Sequence, residues 1–346
     1  MKGYRVAVVS PLSPFGQRVR ALLEQSDQHV LPVIELKLFD GRPNAGSSLT
    51  QFEDEILVTQ ALDPDFFPLL DVMFVGEDTS PEVLAEAARA ASQGVLTLVA
   101  GGQLAAPVAA VGLNDEFLSE EARLFGLPDG ASILLGKVLE ALGETFEVEQ
   151  AHATVMLPAS ELGEKAVKEL HQQVMQLLNF GSPPTEVIGE QLAFNLFVPP
   201  TGKDKREGDT EARPEITVAK QVCELAGLEE HRVSVSLVLA PVFHSYAVSL
   251  WVQLAERPAV EAVVAALAER ADLDTSQSLE SPEGSLRAVS PVGVAGSKQV
   301  HVGWVRSDGR EAGGVWLWLA ADSVAVDSAE NALELGKKLL GGGGST

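Results

Sequence analysis

Residues 4–25, YRVAVVSPLSPFGQRVRALLEQ, decide the fold. An apolar run at Arg5–Val9 leads into a short loop, Ser10 to Gly16. A helix over Phe15–Gln25 follows, with Phe15, Val19, Leu22 and Leu23 on one face. Strand, tight loop and amphipathic helix open a dinucleotide-binding unit, where backbone N–H groups and the helix N-terminus receive a pyrophosphate. Such a loop needs glycines for close backbone approach. This one offers Ser10 and Ser13, with Pro11 and Pro14 beside them, and each proline lacks an N–H.

Outward from this stretch, apolar runs at Val30–Phe39, Ile56–Leu62, Val72–Gly76 and Val95–Ala100 predict further strands. A helix is predicted over Pro81–Gln93, with Ser80 as its N-cap and Pro81 in its first position. Alternation of this kind predicts an α/β class, a Rossmann-like doubly wound parallel sheet over residues 1–129. The uncharged stretch 94–113 is broken by Gly101-Gly102 and Pro107 into two short β-type runs, as buried strands are, instead of forming a membrane span.

After Gly130 the pattern changes. A helix over 132–144, a long strand over 147–157 and a charged helix over 161–178 precede two long β-type runs, 232–256 and the hairpin-like 300–322. They predict an α+β dimerisation domain spanning 130–327, with a broad sheet whose apolar positions Val233, Val235, Leu237 and Leu239 offer more apolar face than one helix layer covers, so that helices or a partner must lie over it. A helix over 328–340 returns to complete the first domain. Residues 198–215 read as an exposed polar loop, and GGGGST ends the chain as a flexible tail.

Composition narrows the partners. Twenty-five Lys and Arg face 49 Asp and Glu, a formal charge of −24. That field repels nucleic acid and anionic lipid. The one cysteine, Cys223, excludes an internal disulfide and fits a reducing cytoplasm. The histidines lack metal-site spacing, so no metal is predicted.

Several strings, in order, resemble the aspartate-β-semialdehyde dehydrogenase family: RPNAG (42–46) with LTQF (49–52), EQLAFNLFV (190–198), APVFHSYAVSL (240–250) and VWLWLAADSVAVDSAENALEL (315–335). EQLAFNLFV, which is similar to the family's Gln-(Ile/Leu)-Ala-Phe-Asn strand, is the most specific of them. The resemblance implies a homodimer of two-domain subunits. It also implies a cysteine thioester that forms or reduces an acyl phosphate, exchanging hydride with NADP.

The residues that this chemistry needs are replaced. In GLPDGAS (126–132), Gly130 falls on the family's nucleophilic cysteine. Cys223 sits instead in a helix, as a half-buried residue, and Ser132 lies too deep in its helix to substitute. Leu157 falls on the acyl-positioning glutamine and Leu239 on the carboxylate-binding arginine. Glu215 remains from the substrate helix, but Thr217 replaces its lysine. His244 survives as a relic of the acid/base, two deletions out of register, and reads as a packed or interface histidine. Of the Gly-x-x-Gly-x-x-Gly loop, Ser10 and Ser13 replace two glycines and Gly16 remains. Asp40 could accept from a ribose and Arg42 could favour a 2′-phosphate, although both read first as turn residues.

These losses together predict a pseudoenzyme with a binding, regulatory or assembly role and no nicotinamide cofactor. The alternative is an oxidoreductase of amino-acid biosynthesis with altered chemistry, acting on an aldehyde or acyl phosphate. It would use NADP or NAD if the pocket survives.

Overall fold

The structure, a computed structural model, describes residues 3–24, 31–42, 48–52, 55–77, 79–119, 121–199, 213–278 and 289–341. The expected features at Gln25, Val30, 43–46, 200–212 and 342–346 lie outside them. Two compact units divide the chain: one comprises the residues before Gly130 with those from Asp327 onward, the other Gly130–Val326.

The first unit begins with β1 (Tyr4–Val9) and α1 (Pro14–Glu24), followed by β2 (Val33–Asp40), β3 (Ser48–Phe52), β4 (Glu55–Ala61), β5 (Val72–Val75), α2 (Pro81–Ser92), β6 (Leu96–Val99) and β7 (Leu124–Gly126). The strands order as β3-β4-β2-β1-β5-β6-β7. Six run parallel and β3 closes one edge antiparallel to β4. Val6 and Val8 pack on one face against Phe15 and Val19, while Ala7 and Val9 pack on the other with Val83 and Ala87. Both faces of this parallel sheet are therefore covered, as its continuous apolar strands require. Ser80 caps α2, accepting a hydrogen bond from Val83 N at 3.3 Å.

Three local expectations are corrected. LTQF, which by the resemblance belongs to a loop after the second strand, lies in a strand, β3, and β7 follows from a three-residue run with no strand signal of its own. The second half of the uncharged stretch is no strand, because Val108 makes a single bridge to Gly126. Among the described residues, no helix is long and apolar enough to cross a membrane.

The second unit carries α3 (Gly130–Gly143), β8 (Val148–Leu157), α4 (Glu164–Leu178), α5 (Pro214–Leu225), β9 (Val233–Leu239), β10 (Ser245–Leu254), α6 (Val260–Ala268), β11 (Leu273–Gln277), β12 (Val300–Ser307) and β13 (Gly314–Asp322). Its sheet orders as β11-β12-β13-β10-β8-β9. The last helix, α7 (Ser328–Gly341), packs Ala332 and Leu335 into the first unit's core. The long run 232–256 is two strands, broken at Ala240–His244 around Pro241, and 161–178 is interrupted at Gly163, where φ is +86°.

On β9 it is a helix, not a partner, that covers the apolar residues. Val233, Leu237 and Leu239 are buried in the core with Val218 and Val222 of α5. Their neighbours Ser234 and Ser236 take the open face. Period-two alternation fixes which residues share a face but not which face the chain covers.

Gly16 anchors the opening loop. A Cβ there would lie 2.3 Å from the Ser10 carbonyl oxygen and 2.9 Å from Pro11 Cα, both backbone atoms. Gly16→Ala is therefore expected to cost about 1–3 kcal/mol, read as an earlier urea transition of the first unit. An unchanged midpoint would mean that the loop yields freely.

Candidate functional site

The N-terminus of α3 is the centre of the second unit's candidate site. Gly130 is buried, and a Cβ built on it would lie 2.3 Å from Tyr246 Oη, 3.0 Å from Tyr246 Cζ and 3.3 Å from the Val326 carbonyl. The Tyr246 phenol thus fills the space that a side chain at 130 would enter. Its ring is 1% exposed, and its hydroxyl donates to Glu161 Oε1. A bulky side chain of β10 is thus pointed at the helix start.

Leu157 and Leu239 lie directly opposite each other, because β8 pairs with β9 in parallel register. Both are buried, in the same apolar cluster as Tyr246. Ala240 N donates to the Leu157 carbonyl at 2.9 Å, and Leu239 exchanges backbone hydrogen bonds with Phe197 of the EQLAFNLFV string. Where a glutamine and an arginine are expected from the resemblance, the sheet presents two hydrocarbon side chains. Neither can hydrogen-bond a carboxylate.

The remaining positions are held apart from any such chemistry. Ser132 is fully buried and its hydroxyl donates to Gln221 Oε1 at 2.6 Å, tying α3 to α5. Cys223 is 1% exposed, more deeply buried than the sequence implied, with its Sγ 3.4 Å from the Glu229 carbonyl. Burial pushes its thiol up to about 11. Glu215 lies in the first turn of α5, partly exposed, two residues before Thr217. His244 is exposed, which removes the packed reading. Its carbonyl accepts from Ser323 N, while its ring makes no hydrogen bond or ion pair among the described residues. Among them, too, no cluster of His, Cys, Asp or Glu could hold a metal ion.

The opening loop of the first unit forms a second candidate site. Ser10 takes the left-handed conformation that glycine adopts freely, with φ +54°. Its hydroxyl lies 2.8 Å from Thr79 Oγ1. Ser13 caps α1, accepting from Gly16 N at 3.1 Å, and its carbonyl accepts from Gln17 N at 2.9 Å. The Phe15 amide donates to the Glu77 carboxylate at 3.1 Å. The three first available N–H groups of the helix, at Phe15, Gly16 and Gln17, are all taken by acceptors of this chain. A carboxylate rests where the positive end of the helix would draw a phosphate. The residues present do not fit a pyrophosphate as they stand.

Asp40 and Arg42 answer each other. Arg42 Nε and its terminal nitrogen each approach an Asp40 oxygen at 3.1 Å, and Arg42 N donates to Asp40 Oδ1 at 2.9 Å. The Arg42 guanidinium holds the Asp40 carboxyl below the usual carboxylate range. Sequence reasoning missed both side chains that close these sites. Ser-Pro at the helix start was a readable cap signal, but nothing local marked Glu77 or Tyr246.

Comparison with known proteins follows the same lines. Residues 139–326 match the model of the semialdehyde dehydrogenase dimerisation domain. A USG-1 protein homolog of Pseudomonas aeruginosa is 31% identical over 97% of each chain. An aspartate-semialdehyde dehydrogenase of Prochlorococcus marinus is 22% identical over 97% of this chain and 95% of its own. Among solved structures, a probable aspartate-semialdehyde dehydrogenase from Pseudomonas aeruginosa superposes with a TM-score of 0.75 at 26% identity, covering 98% of this chain and 99% of that one. The family model, which covers more than half of the chain, and the full-length similarity agree: the chain belongs to the aspartate-semialdehyde dehydrogenase family.

Proposed function

We propose that this chain is a member of the family that does not catalyse the dehydrogenase reaction and serves as a homodimeric binding or assembly protein of the cytoplasm. The observation that carries this reading is the Tyr246 phenol packed onto Gly130. A thioester mechanism needs a thiolate at a helix N-terminus. Here that place holds another residue's ring. The one thiol of the chain is buried elsewhere, and with a pKa of about 11 its thiolate fraction near neutrality is on the order of one part in ten thousand.

Two further features support the same reading. The Leu157–Leu239 pair removes carboxylate recognition, and Glu77 with Ser13 satisfies the amides that a dinucleotide pyrophosphate would use. The family's cofactor, NADP, is accordingly not expected to bind tightly at this loop.

Dimerisation is proposed to use the face of the second sheet that the helices leave open. There Trp251 sits in register between His152 and Trp316, with the His152 and Trp251 rings stacked at 5.3 Å between centroids. An aromatic row on a sheet face fits burial against a second copy.

Purified protein should not oxidise aspartate semialdehyde in the presence of phosphate and NADP, and neither NADP nor NAD at millimolar concentration should raise its melting temperature. Gly130→Cys alone should not restore turnover, since Tyr246 would still fill the site. Clear turnover, or a rise of several degrees with either nucleotide, would favour an oxidoreductase with altered chemistry.

Native Cys223 should resist iodoacetamide and react fully once unfolded. Rapid native labelling would contradict the buried placement. Light scattering at micromolar concentration should give a dimer mass, and Trp251→Glu should shift it to monomer. A wild-type monomer would refute the proposed interface.

A further inference from the structure

Away from both sites, the second unit brings together a serine, a histidine and an aspartate in a line. Strands β11 and β12 run parallel with Asp274 and His301 in register. Asp274 Oδ2 lies 3.0 Å from His301 Nδ1, and His301 Nε2 lies 2.8 Å from Ser297 Oγ. The carboxylate fixes the tautomer: a proton on Nδ1 donates to Asp274, which leaves the Nε2 lone pair to accept from the serine. Burial works against charge on Asp274, but hydrogen bonds from Ser276 and the neighbouring His301 outweigh it and hold the carboxyl below its usual range. The acceptor is therefore ionised at neutral pH.

We propose that Ser297, His301 and Asp274 form a nucleophilic triad that hydrolyses small activated carboxylic esters. This activity owes nothing to the dehydrogenase chemistry. The backbone on both sides of the nucleophile is fixed. Gly296, with φ +76°, donates its N–H to the buried Asp322 at 2.9 Å, and Ser297 N donates to the Val294 carbonyl at 2.9 Å. Gln299 N donates to Ser297 Oγ at 3.2 Å, a contact that strengthens as the oxygen gains negative charge. The Lys298 amide follows the nucleophile in the chain and has no acceptor among the described residues. It is the donor available to an oxyanion.

The reaction balances without a further reagent. Ser297 Oγ attacks the ester carbonyl carbon while its proton passes to His301 Nε2. The tetrahedral intermediate collapses with cleavage of the acyl–oxygen bond, and the proton goes from His301 to the departing alcohol. Water then attacks the acyl-serine, losing its proton to His301. Collapse releases the carboxylic acid, and the same proton returns to Ser297. Ser297 is partly exposed, in a turn whose Val292, Ala295 and Lys298 face solvent. That open setting suits a small acyl group with a good leaving group, not a long chain.

The test uses the full chain with a fluorophosphonate probe and 4-nitrophenyl acetate. The phosphonyl adduct is expected on Ser297 by peptide mass mapping, absent after heat denaturation and absent in Ser297→Ala. His301→Gln keeps a hydrogen-bonding side chain but no base, and it should lower ester turnover by about 10²–10⁴-fold. Asp274→Asn, a change at a positioning residue, should lower kcat at least tenfold and leave KM near its original value. Melting curves of all three variants report whether each remains folded. Failure of Ser297 to label in folded wild-type protein would overturn the proposal. So would turnover unchanged in folded Ser297→Ala or His301→Gln, because a polar ladder that merely pins the turn predicts that result.

Discussion

The register of β10 against its two neighbours governs most of the second unit. Ala247 to Gln253 pair residue for residue with β13 on one side and β8 on the other. That single alignment sends Val248, Leu250 and Val252 into the core and Trp251 onto the open face. It also carries Tyr246 to the start of α3. A slip of one residue would exchange the two faces throughout, putting Trp251 into the helix-covered core and withdrawing the phenol from Gly130. The filled helix terminus and the aromatic row are therefore two consequences of one constraint.

Both candidate sites share one physical feature, a side chain of the chain itself packed against a helix N-terminus: Tyr246 at α3 and Glu77 at α1. A buried cavity at the α3 terminus would cost packing energy, and a large tyrosine removes it. Leu157 and Leu239 solve the neighbouring problem. A buried arginine and glutamine without a substrate would be unsatisfied polar groups, whereas two facing leucines pack without such a penalty.

The parts of the fold legible in the sequence are those written locally. Strand β1, its loop and α1 follow from an apolar run, a turn and a helical stripe, and the Ser80-Pro81 cap announces α2. β7 was illegible because three residues carry no period; pairing with β6 alone makes them a strand. The family strings led to Gly130, Leu157 and Leu239, but the reason those positions tolerate their residues lies elsewhere. Tyr246 is 116 positions from Gly130 in the numbering, and Glu77 is separated from Phe15 by 62. Asp274, Ser297 and His301 match no motif; the parallel pairing of β11 with β12 aligns Asp274 with His301, and the turn before β12 brings in Ser297.

In the opening loop the chain's own side chains take the first amides of α1. Ser10 holds a left-handed backbone at a cost of order 1–2 kcal/mol relative to glycine. A phosphate entering the loop must first displace Glu77 from the Phe15 amide. It forfeits a hydrogen bond to a charged group, about 1.5–3 kcal/mol, and a charge–helix interaction of about 0.3–1 kcal/mol. Together these weaken binding by a factor on the order of 20 to 1,000. The carboxylate is tethered and always present, whereas a free nucleotide also loses translational freedom on binding. A loop can thus keep the backbone of a dinucleotide site while its own acidic side chain holds the place of the ligand.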